Sequence, residues 1–438
     1  MAFIEGYPNR ISVAQGEELA FHVSSDAKEF ALEITREGPQ PKVMASIPSL
    51  KSTLCPVPEN AWANGCNWPE AHRFTIPREW PSGVYRARMT AARSPADFTK
   101  WCNTTATHDL FFIVRAATPG AAAPILMHLC TNTYNAYNKW GGHSLYGYHS
   151  KGNMRAHRVS LNRPGIGFYG DLAVTRWELP FIKWAESNDF RIEYASNCDL
   201  EFHPEILDKY KLVISVGHDE YWSWPMRDAI EAYIGRGGNV AFFSGNSVCW
   251  QVRFEDNGRT MRCHKESSDE DPIFMEGDRR RVTARWVDKN VNRPENLLTG
   301  VGWDQGGYHR SHGMLMDGSG AYTVKRPDHW VFEGTQLKSG DSFGAANTIV
   351  GYECDGCLFK TGDDGKPAPT GEDGTPLNFQ ILAQAPAASY AGHKGQACMG
   401  MYTRNGTVFT SATTDWADGL ADPMVQRITA NVLRRLSK

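Results

Sequence analysis

The first 115 residues alternate apolar and polar positions over short stretches. This period of two is kept in residues 11–25 (ISVAQGEELAFHVSS), 30–38 (FALEITREG), 83–91 (GVYRARMTA) and 108–116 (HDLFFIVRA). Proline and glycine punctuate the gaps, as expected of turns between antiparallel strands. The pattern predicts an all-β, immunoglobulin-like sandwich domain over residues 1–117. Residues 116–124 (AATPGAAAP) are small and contain proline, so we expect a linker there.

Beyond the linker, uninterrupted apolar runs alternate with amphipathic stretches. The runs are residues 125–130 (ILMHLC), 212–217 (LVISVG) and 239–246 (NVAFFSGN). The amphipathic stretches include residues 177–188 and 223–238, and residues 423–438 predict a closing helix. Strand–helix alternation with fully apolar strands is typical of a parallel sheet covered on both faces. Residues 118–438 therefore predict an α/β catalytic domain with a parallel sheet flanked by helices.

Composition excludes several classes of function. The 438 residues carry a net charge of -3 and no long basic run, so we expect no nucleic-acid partner. No apolar stretch reaches the ~18 residues that span a bilayer, and no signal-peptide pattern opens the chain, so we expect no membrane association. Ten cysteines lack regular spacing and are interpreted as reduced thiols in a cytoplasmic protein.

Polar side chains follow two of the predicted strands. His218, Asp219 and Glu220 come directly after the strand at 212–217, and Asn246 follows the next strand. Ligands of open parallel sheets bind outside the carboxyl ends of the strands. In an extended backbone, His218 and Glu220 project to the same side and can bind one ion. The alternative is a solvated strand end, because a lone H-x-E pair is a weak signal.

A long aromatic loop follows the strand at 125–130. It contains two adjacent glycines and five large aromatic residues, namely Tyr134, Tyr137, Trp140, Tyr146 and Tyr148. The loop predicts either aromatic packing or a binding wall with one phenol turned towards the strand ends. The pattern alone does not choose the phenol.

Common catalytic motifs are missing from the sequence. There is no G-x-S-x-G, H-E-x-x-H or dinucleotide-binding glycine motif. Cys249 lies too far beyond the strand at 239–246 to be a nucleophile at a tight turn. Five further histidines are candidates for either a pocket or a structural role: His128, His143, His149, His309 and His312.

Five motifs resemble the large, catalytic subunit of N,N-dimethylformamidase and its wider family. They are residues 136–146 (AYNKWGGHSLY), 177–186 (WELPFIKWAE), 217–223 (GHDEYWS), 242–253 (FFSGNSVCWQVR) and 350–356 (VGYECDG). The resemblance covers about residues 120–438. It implies an amide hydrolase with a mononuclear iron bound by a tyrosine, a histidine and a glutamate. It also implies a fold like that of class I glutamine amidotransferases.

The resemblance assigns a role to individual residues. His218 and Glu220 match the histidine and glutamate ligands, and Tyr137 matches the tyrosine, with Tyr134 as its rival. Asn246 matches an asparagine that lines the site, and Glu353 matches a glutamate beside it that can transfer protons. Phenolate binding needs a strongly Lewis-acidic ion because free tyrosine has a pKa near ~10. This favours ferric iron, with zinc as the alternative.

These inferences predict an iron-dependent hydrolase of a small amide or formamide C–N bond. One alternative is a non-catalytic module that binds carbohydrate or peptide. Another is an iron oxidase or oxygenase, although those enzymes normally use two histidines and a carboxylate. We expect a small amide as substrate and a homo-oligomer, with a small accessory subunit as a further candidate partner. No match extends to the N-terminal region that precedes the β-domain of the family's large subunit.

Overall fold

The computed structural model describes residues 2–92, 105–166, 168, 173–278, 281–308, 310–311, 314–315, 320–388 and 394–438. Strands make up 37% of the structure and helices 24%. Across these residues, no helix combines the length and apolar content needed to cross a bilayer. His309 and His312 lie outside the described residues.

The described residues before residue 116 form strands and one short helix. The elements are β1 (Ile4–Pro8), β2 (Ser12–Ala14), β3 (Glu18–Ser25), β4 (Glu29–Arg36), β5 (Lys42–Lys51), α1 (Ala61–Asn64), β6 (Glu70–Thr75), β7 (Gly83–Ala92) and β8 (Thr105–Arg115). They form a three-stranded antiparallel sheet, β1-β3-β6, and a five-stranded sheet, β2-β8-β7-β4-β5. Phe21, Trp80, Tyr85 and Phe112 pack in the core that these sheets share. The described pairs in these two sheets are antiparallel except β2-β8, which is parallel. The immunoglobulin-like outline of this domain stays a prediction.

The rest of the chain mixes strands with short helices. The strands are β9 (Ile125–Leu129), β10 (Arg158–Ser160), β11 (Ile192–Ser196), β12 (Leu212–His218), β13 (Tyr221–Ser223), β14 (Asn239–Gly245), β15 (Trp250–Glu255), β16 (Thr260–Arg262), β17 (Gly302–Tyr308), β18 (Arg310–Ser311), β19 (Met314–Leu315), β20 (Tyr322–Val324), β21 (Ser342–Phe343), β22 (Glu353–Gly356), β23 (Phe359–Thr361), β24 (Pro367–Pro369), β25 (Gln380–Ala388), β26 (Lys394–Thr403) and β27 (Thr407–Thr410). The α-helices are α2 (Thr131–Tyr137), α3 (Glu178–Ser187), α4 (Asp199–Phe202), α5 (Trp224–Gly235), α6 (Pro272–Glu276), α7 (Asn296–Thr299) and α8 (Pro423–Leu436). Short 3₁₀ helices include Trp140–Gly142, Gly147–His149, Lys151–Asn153, Pro204–Lys209, Lys265–Glu270 and Thr414–Ala421.

The central sheet is mixed, not parallel. Its main path runs β11-β9-β12-β14-β27-β26-β25-β17-β22. The pairs from β11 to β27 are parallel, whereas β27-β26, β26-β25, β25-β17 and β17-β22 are antiparallel. The predicted parallel sheet flanked by helices is therefore wrong, and so is the glutamine amidotransferase-like fold that the resemblance implied. The helix–strand alternation that suggested it stops after β14, and the later strands join the sheet antiparallel.

The end of β12 is fixed by a glycine. Gly217 has φ +87°, and a Cβ built there would lie 2.7 Å from the Cβ of Trp177. A larger residue would be strained in this conformation and would push Trp177 away. The close approach sets the position of His218, the next residue and the last of β12.

A buried carboxylate anchors the segment beside β15. Asp271 accepts hydrogen bonds from the Arg253 guanidinium at 2.6 and 2.7 Å and from the Thr283 amide and hydroxyl at 2.8 and 2.7 Å. Burial raises the pKa of Asp271, but the bonds from Arg253 and Thr283 outweigh it and hold the pKa well below its usual range. The carboxylate thereby ties the 3₁₀ helix Lys265–Glu270 to the sheet.

Asp271→Asn is expected to destabilise the protein by about 3 kcal/mol, because it leaves Arg253 without its buried partner. Since the pKa of Asp271 is depressed, its contribution is present above the ordinary aspartate pKa and is lost as the pH falls through the folded-state value. Urea unfolding should show the same deficit at pH 7 and pH 5.5. The control is Asp269→Asn, an exposed neighbour, which should unfold like the wild type. Equal stability of the wild type and both variants would show that the Asp271 carboxylate does not stabilise this segment.

Candidate functional site

The candidate residues lie at or just beyond the ends of four elements, β12, β14, β22 and α2. His218 ends β12, and Glu220 lies two residues further, with exposed fractions of 0% and 3%. Asn246 follows β14 with φ +46°. Glu353 opens β22, and Tyr137 ends α2. The structure therefore brings all five predicted site residues together.

Glu220 is the centre of this group. Its Oε2 lies 3.3 Å from the Tyr137 hydroxyl and 3.4 Å from His218 Nε2. Two ligand atoms bound to one ion at ~2.1 Å are about 3 to 3.5 Å apart in octahedral or tetrahedral geometry. The spacing of the three predicted ligands therefore fits a shared ion. Tyr134 instead packs edge-on against Phe111 in the core, with ring centroids 6.2 Å apart.

Tyr146 is a second phenol at the site, which the sequence did not single out. Its hydroxyl lies 3.1 Å from both carboxylate oxygens of Glu220. Its ring stacks on Tyr137 with centroids 4.1 Å apart. Gly141 and Gly142, at φ +83° and +105°, turn the loop so that both phenols face the same carboxylate. The glycine pair between two tyrosines was the signal that could have revealed this.

The surroundings of both phenols favour the protonated form. Burial and the Glu220 carboxylate raise the pKa of Tyr137 and of Tyr146 well above that of free tyrosine. Each hydroxyl donates to Glu220 in this state. A strongly charged cation bound between the two phenol oxygens and the Glu220 carboxylate would instead favour the phenolate form.

Lys265 and Trp250 also surround Glu220 and were missed in the sequence. Trp250 donates its indole N–H to Glu220 Oε1 at 2.8 Å. The Lys265 ammonium lies 3.4 Å from the centroid of the Tyr146 ring, and the side chain is buried. Burial lowers the pKa of Lys265, and the Glu220 charge opposes that effect. No motif signals such a lysine, because its contact depends on the fold of a distant segment.

His218, Glu353 and Asn246 form a second set of contacts. His218 Nε2 lies 2.8 Å from Glu353 Oε2, closer than it lies to Glu220, and Nδ1 is 3.2 Å from the Tyr352 hydroxyl. The Asn246 amide donates to the same Glu353 oxygen at 3.0 Å. Burial lowers the pKa of His218, but Glu353 and Glu220 outweigh it and raise that pKa to about 9. His218 is therefore placed either to bind an ion beside Glu220 or to carry a proton beside Glu353.

Comparison with known proteins places this site in a family. The model of the family described as N,N-dimethylformamidase beta subunit-like, C-terminal, matches residues 33–430. The chain belongs to this family. The match includes every residue of the candidate site, so the dimethylformamidase-like motifs and the site geometry fall in the same stretch of chain.

Two curated relatives share a short segment with the chain. N,N-dimethylformamidase beta subunit from Alcaligenes sp is 36% identical over 81 residues, and the one from Paracoccus aminophilus is 35% identical over 81 residues. The match spans 17% of this chain and only 11% of each relative. Both relatives are named beta subunits, where the sequence motifs had suggested a large subunit.

One solved structure is also similar. It is a chain from a structure described as the structural basis of T cell specificity and activation by the bacterial superantigen toxic shock syndrome toxin-1, and it is 16% identical to this chain. The match covers 26% of this chain and 99% of that chain, with a TM-score of 0.17. A TM-score this low carries no argument about the fold.

The residue between the two predicted ligands has a structural role. Asp219 accepts hydrogen bonds from Asn197 at 3.0 Å and Ser215 at 2.7 Å, and it lies 3.7 Å from buried His128. It thus points away from Glu220, as expected for the middle residue of an extended triplet. His143 bonds to the Met154 carbonyl, and His149 packs edge-on against Tyr137 with centroids 6.2 Å apart.

A different cluster of metal-binding side chains lies outside the dimethylformamidase-like site. His157, His264 and Glu270 place ligand atoms within 4.8 Å of one another. However, the two imidazoles stack with centroids 4.5 Å apart and planes only 10° from parallel. A metal ion lies near the plane of each imidazole that binds it, and two stacked parallel planes do not meet at one ion. The cluster around Glu220 fits a metal better.

Proposed function

We propose that the protein is a metal-dependent hydrolase of small amides of the N,N-dimethylformamide type. The observation that carries the proposal is the group of Tyr137, Tyr146 and His218 around the Glu220 carboxylate, within a chain of the dimethylformamidase beta-subunit-like family. Hydrolysis of dimethylformamide with release of dimethylamine, measured on purified protein, tests the activity directly.

The donor atoms fit ferric iron. Glu220 and the two phenols supply hard oxygen atoms, and the imidazole of His218 is within reach of the same place. Such a set suits a hard trivalent ion better than a soft metal. When bound, iron would act as a Lewis acid that polarises the amide carbonyl and activates water.

The chain's own residues supply the proton transfers and the orientation. Glu353 lies next to His218 and Asn246, where it can accept a proton from the attacking water and deliver it to the leaving amine. The Asn246 Nδ2 donates one N–H to Glu353 at 3.0 Å and can donate its second N–H to the substrate oxygen. The rings of Tyr137, Tyr146 and Tyr352 lie beside Glu220 and His218, where they would restrict water around a small, weakly polar amide.

The location and partners are also proposals. The nine cysteines that the structure describes are free thiols, which supports a reducing, cytoplasmic compartment. We further propose a homo-oligomer, with a small accessory subunit as a second partner. Size-exclusion chromatography with light scattering, on protein purified alone, tests the first of these.

A visible spectrum distinguishes iron from zinc. A ferric ion bound to phenolate should give a charge-transfer band, and zinc should give none. Tyr137→Phe and Tyr146→Phe are each expected to weaken or shift the band, because each removes one phenol beside Glu220. Tyr148→Phe is the matched control, because Tyr148 lies in the same loop but is 66% exposed. A colourless wild type that contains zinc would refute iron, and an unchanged band in both variants would refute the phenol ligands.

A further inference from the structure

A cavity of about 580 Å³ lies between the N-terminal sheets and the carboxyl end of β11. Tyr7, Ile11 and Ser12 line it on one side, and Ser196 and Asp199 line it on the other. None of the residues around Glu220 lines it. Its volume is in the range of ~300–1,000 Å³ that is usual for small-molecule sites.

The charged residues that line the cavity are mostly positive. They are four arginines and one aspartate, namely Arg10, Arg115, Arg163, Arg259 and Asp199. Arg115 is already neutralised, because its Nε lies 3.0 Å from Asp199 Oδ1. Arg10 lies 3.6 Å from Glu17, so Arg163 and Arg259 give the cavity its excess of positive charge.

Arg163 is a buried cation without an acidic partner among the described residues. Its guanidinium donates to the carbonyl oxygens of Ser160, Trp140 and His143 at 3.0, 2.6 and 3.2 Å. Burial lowers its pKa to about 9, so it still carries its charge at neutral pH. Buried charges are normally paired. Because backbone carbonyls, including that of Asn135, accept from its guanidinium, Arg163 would attract an anion in the cavity through its charge.

Arg10 and Arg259 can reach a ligand directly. Arg259 is exposed, and its Nε donates to the Asp256 carbonyl at 3.0 Å. Arg10 is 49% exposed, and its contact with Glu17 is a long surface pair of 3.6 Å. Such surface pairs contribute little, so an incoming anion can displace this one.

Aromatic residues form the rest of the wall. Tyr7 stacks on His22 with centroids 4.9 Å apart and planes within 10°, and Trp68 tilts against Tyr7. Phe202, which also lines the cavity, is 42% exposed. Flat apolar surface beside arginines suits a ligand that combines a ring with a negative charge.

We propose that this cavity is a second ligand site, which binds a small organic anion carrying a flat ring. The site is linked to the loop that holds Tyr137 and Tyr146, because Arg163 bonds to the carbonyls of Trp140 and His143 between them. Binding itself does not depend on the proposed hydrolase activity, and it is measured without substrate.

Isothermal titration calorimetry on the full chain tests the proposal with AMP, which has both a flat ring and a phosphate. Two further probes each lack one of these features. Adenosine has the ring but no negative charge, and inorganic phosphate has the charge but no ring. AMP should bind more tightly than either. Arg259→Gln and Arg10→Gln should each weaken AMP binding by about 10-fold, the equivalent of one charge-assisted hydrogen bond. Arg404→Gln is the control, because Arg404 is exposed and lies in the turn between β26 and β27.

Three results would overturn the second site. The first is the absence of measurable AMP binding. The second is AMP binding of equal strength in the wild type, Arg259→Gln and Arg10→Gln, which would place the anion elsewhere, including at the metal. The third is adenosine binding as tight as AMP binding, which would remove the role of the arginines.

Discussion

Glu220→Gln is expected to remove bound iron and to lower amide hydrolysis by more than about 100-fold, since even changes beyond the direct ligands cost ~10–100-fold. Both phenols contact the Glu220 carboxylate, at 3.1 and 3.3 Å, and Trp250 donates to it at 2.8 Å. Glutamine keeps the shape but loses the negative charge that a trivalent ion requires. Elemental analysis of the purified protein and dimethylamine release measure the two effects.

Glu270→Gln is the matched control for this experiment. Glu270 belongs to the alternative cluster with His157 and His264, and its side chain is 63% exposed. We expect this variant to keep its iron and its activity. If Glu220→Gln keeps the metal while Glu270→Gln loses it, the metal lies in the other cluster and the assignment around Glu220 is wrong.

Glu353→Gln is expected to keep the iron but lower kcat by about 100- to 10,000-fold, the range for loss of a general acid–base residue. Glu353 Oε2 lies 2.8 Å from His218 Nε2 and accepts a hydrogen bond from the Asn246 amide at 3.0 Å, and the same imidazole nitrogen lies 3.4 Å from Glu220. Glutamine can preserve the contact with Asn246 or His218 but can no longer take up a proton. Both kcat and iron content are measured, because a loss of both would indicate that Glu353 is an iron ligand and not a proton-transfer residue.

The exposed residue Glu372 offers a control of the same chemistry in the same region of the chain. Glu372→Gln should match the wild type in kcat and iron content. A Glu353→Gln protein with full iron and wild-type kcat would show that Glu353 does not transfer the proton. Loss of iron in Glu353→Gln alone would instead place Glu353 among the ligands.

Local pattern predicted the elements that carry most of the site. The apolar runs at 125–130, 212–217 and 239–246 are strands β9, β12 and β14, and the stretch at 223–238 contains helix α5. These predictions worked because burial and helix ends depend on residues close in sequence. At the start of α5, the Ser223 side chain accepts a hydrogen bond from the Met226 backbone amide, and Pro225 lies in the first turn.

The fold class did not follow from those elements. An apolar strand buried on both faces looks the same whether its neighbour runs parallel or antiparallel. Only the tertiary structure shows that β25 and β26 form an antiparallel pair beside β27. The pairing partners are set by long-range contacts, which the local period does not encode.

The site shows the same division. The sequence by itself determined that His218 and Glu220 leave a buried strand together, because extended residues two apart share a side. It also put Asn246 at the end of the neighbouring strand. Only the tertiary structure decided that Tyr146 and Lys265 join Glu220, because the loop turn at Gly141 and the packing of the segment after β16 bring together residues far apart in the chain.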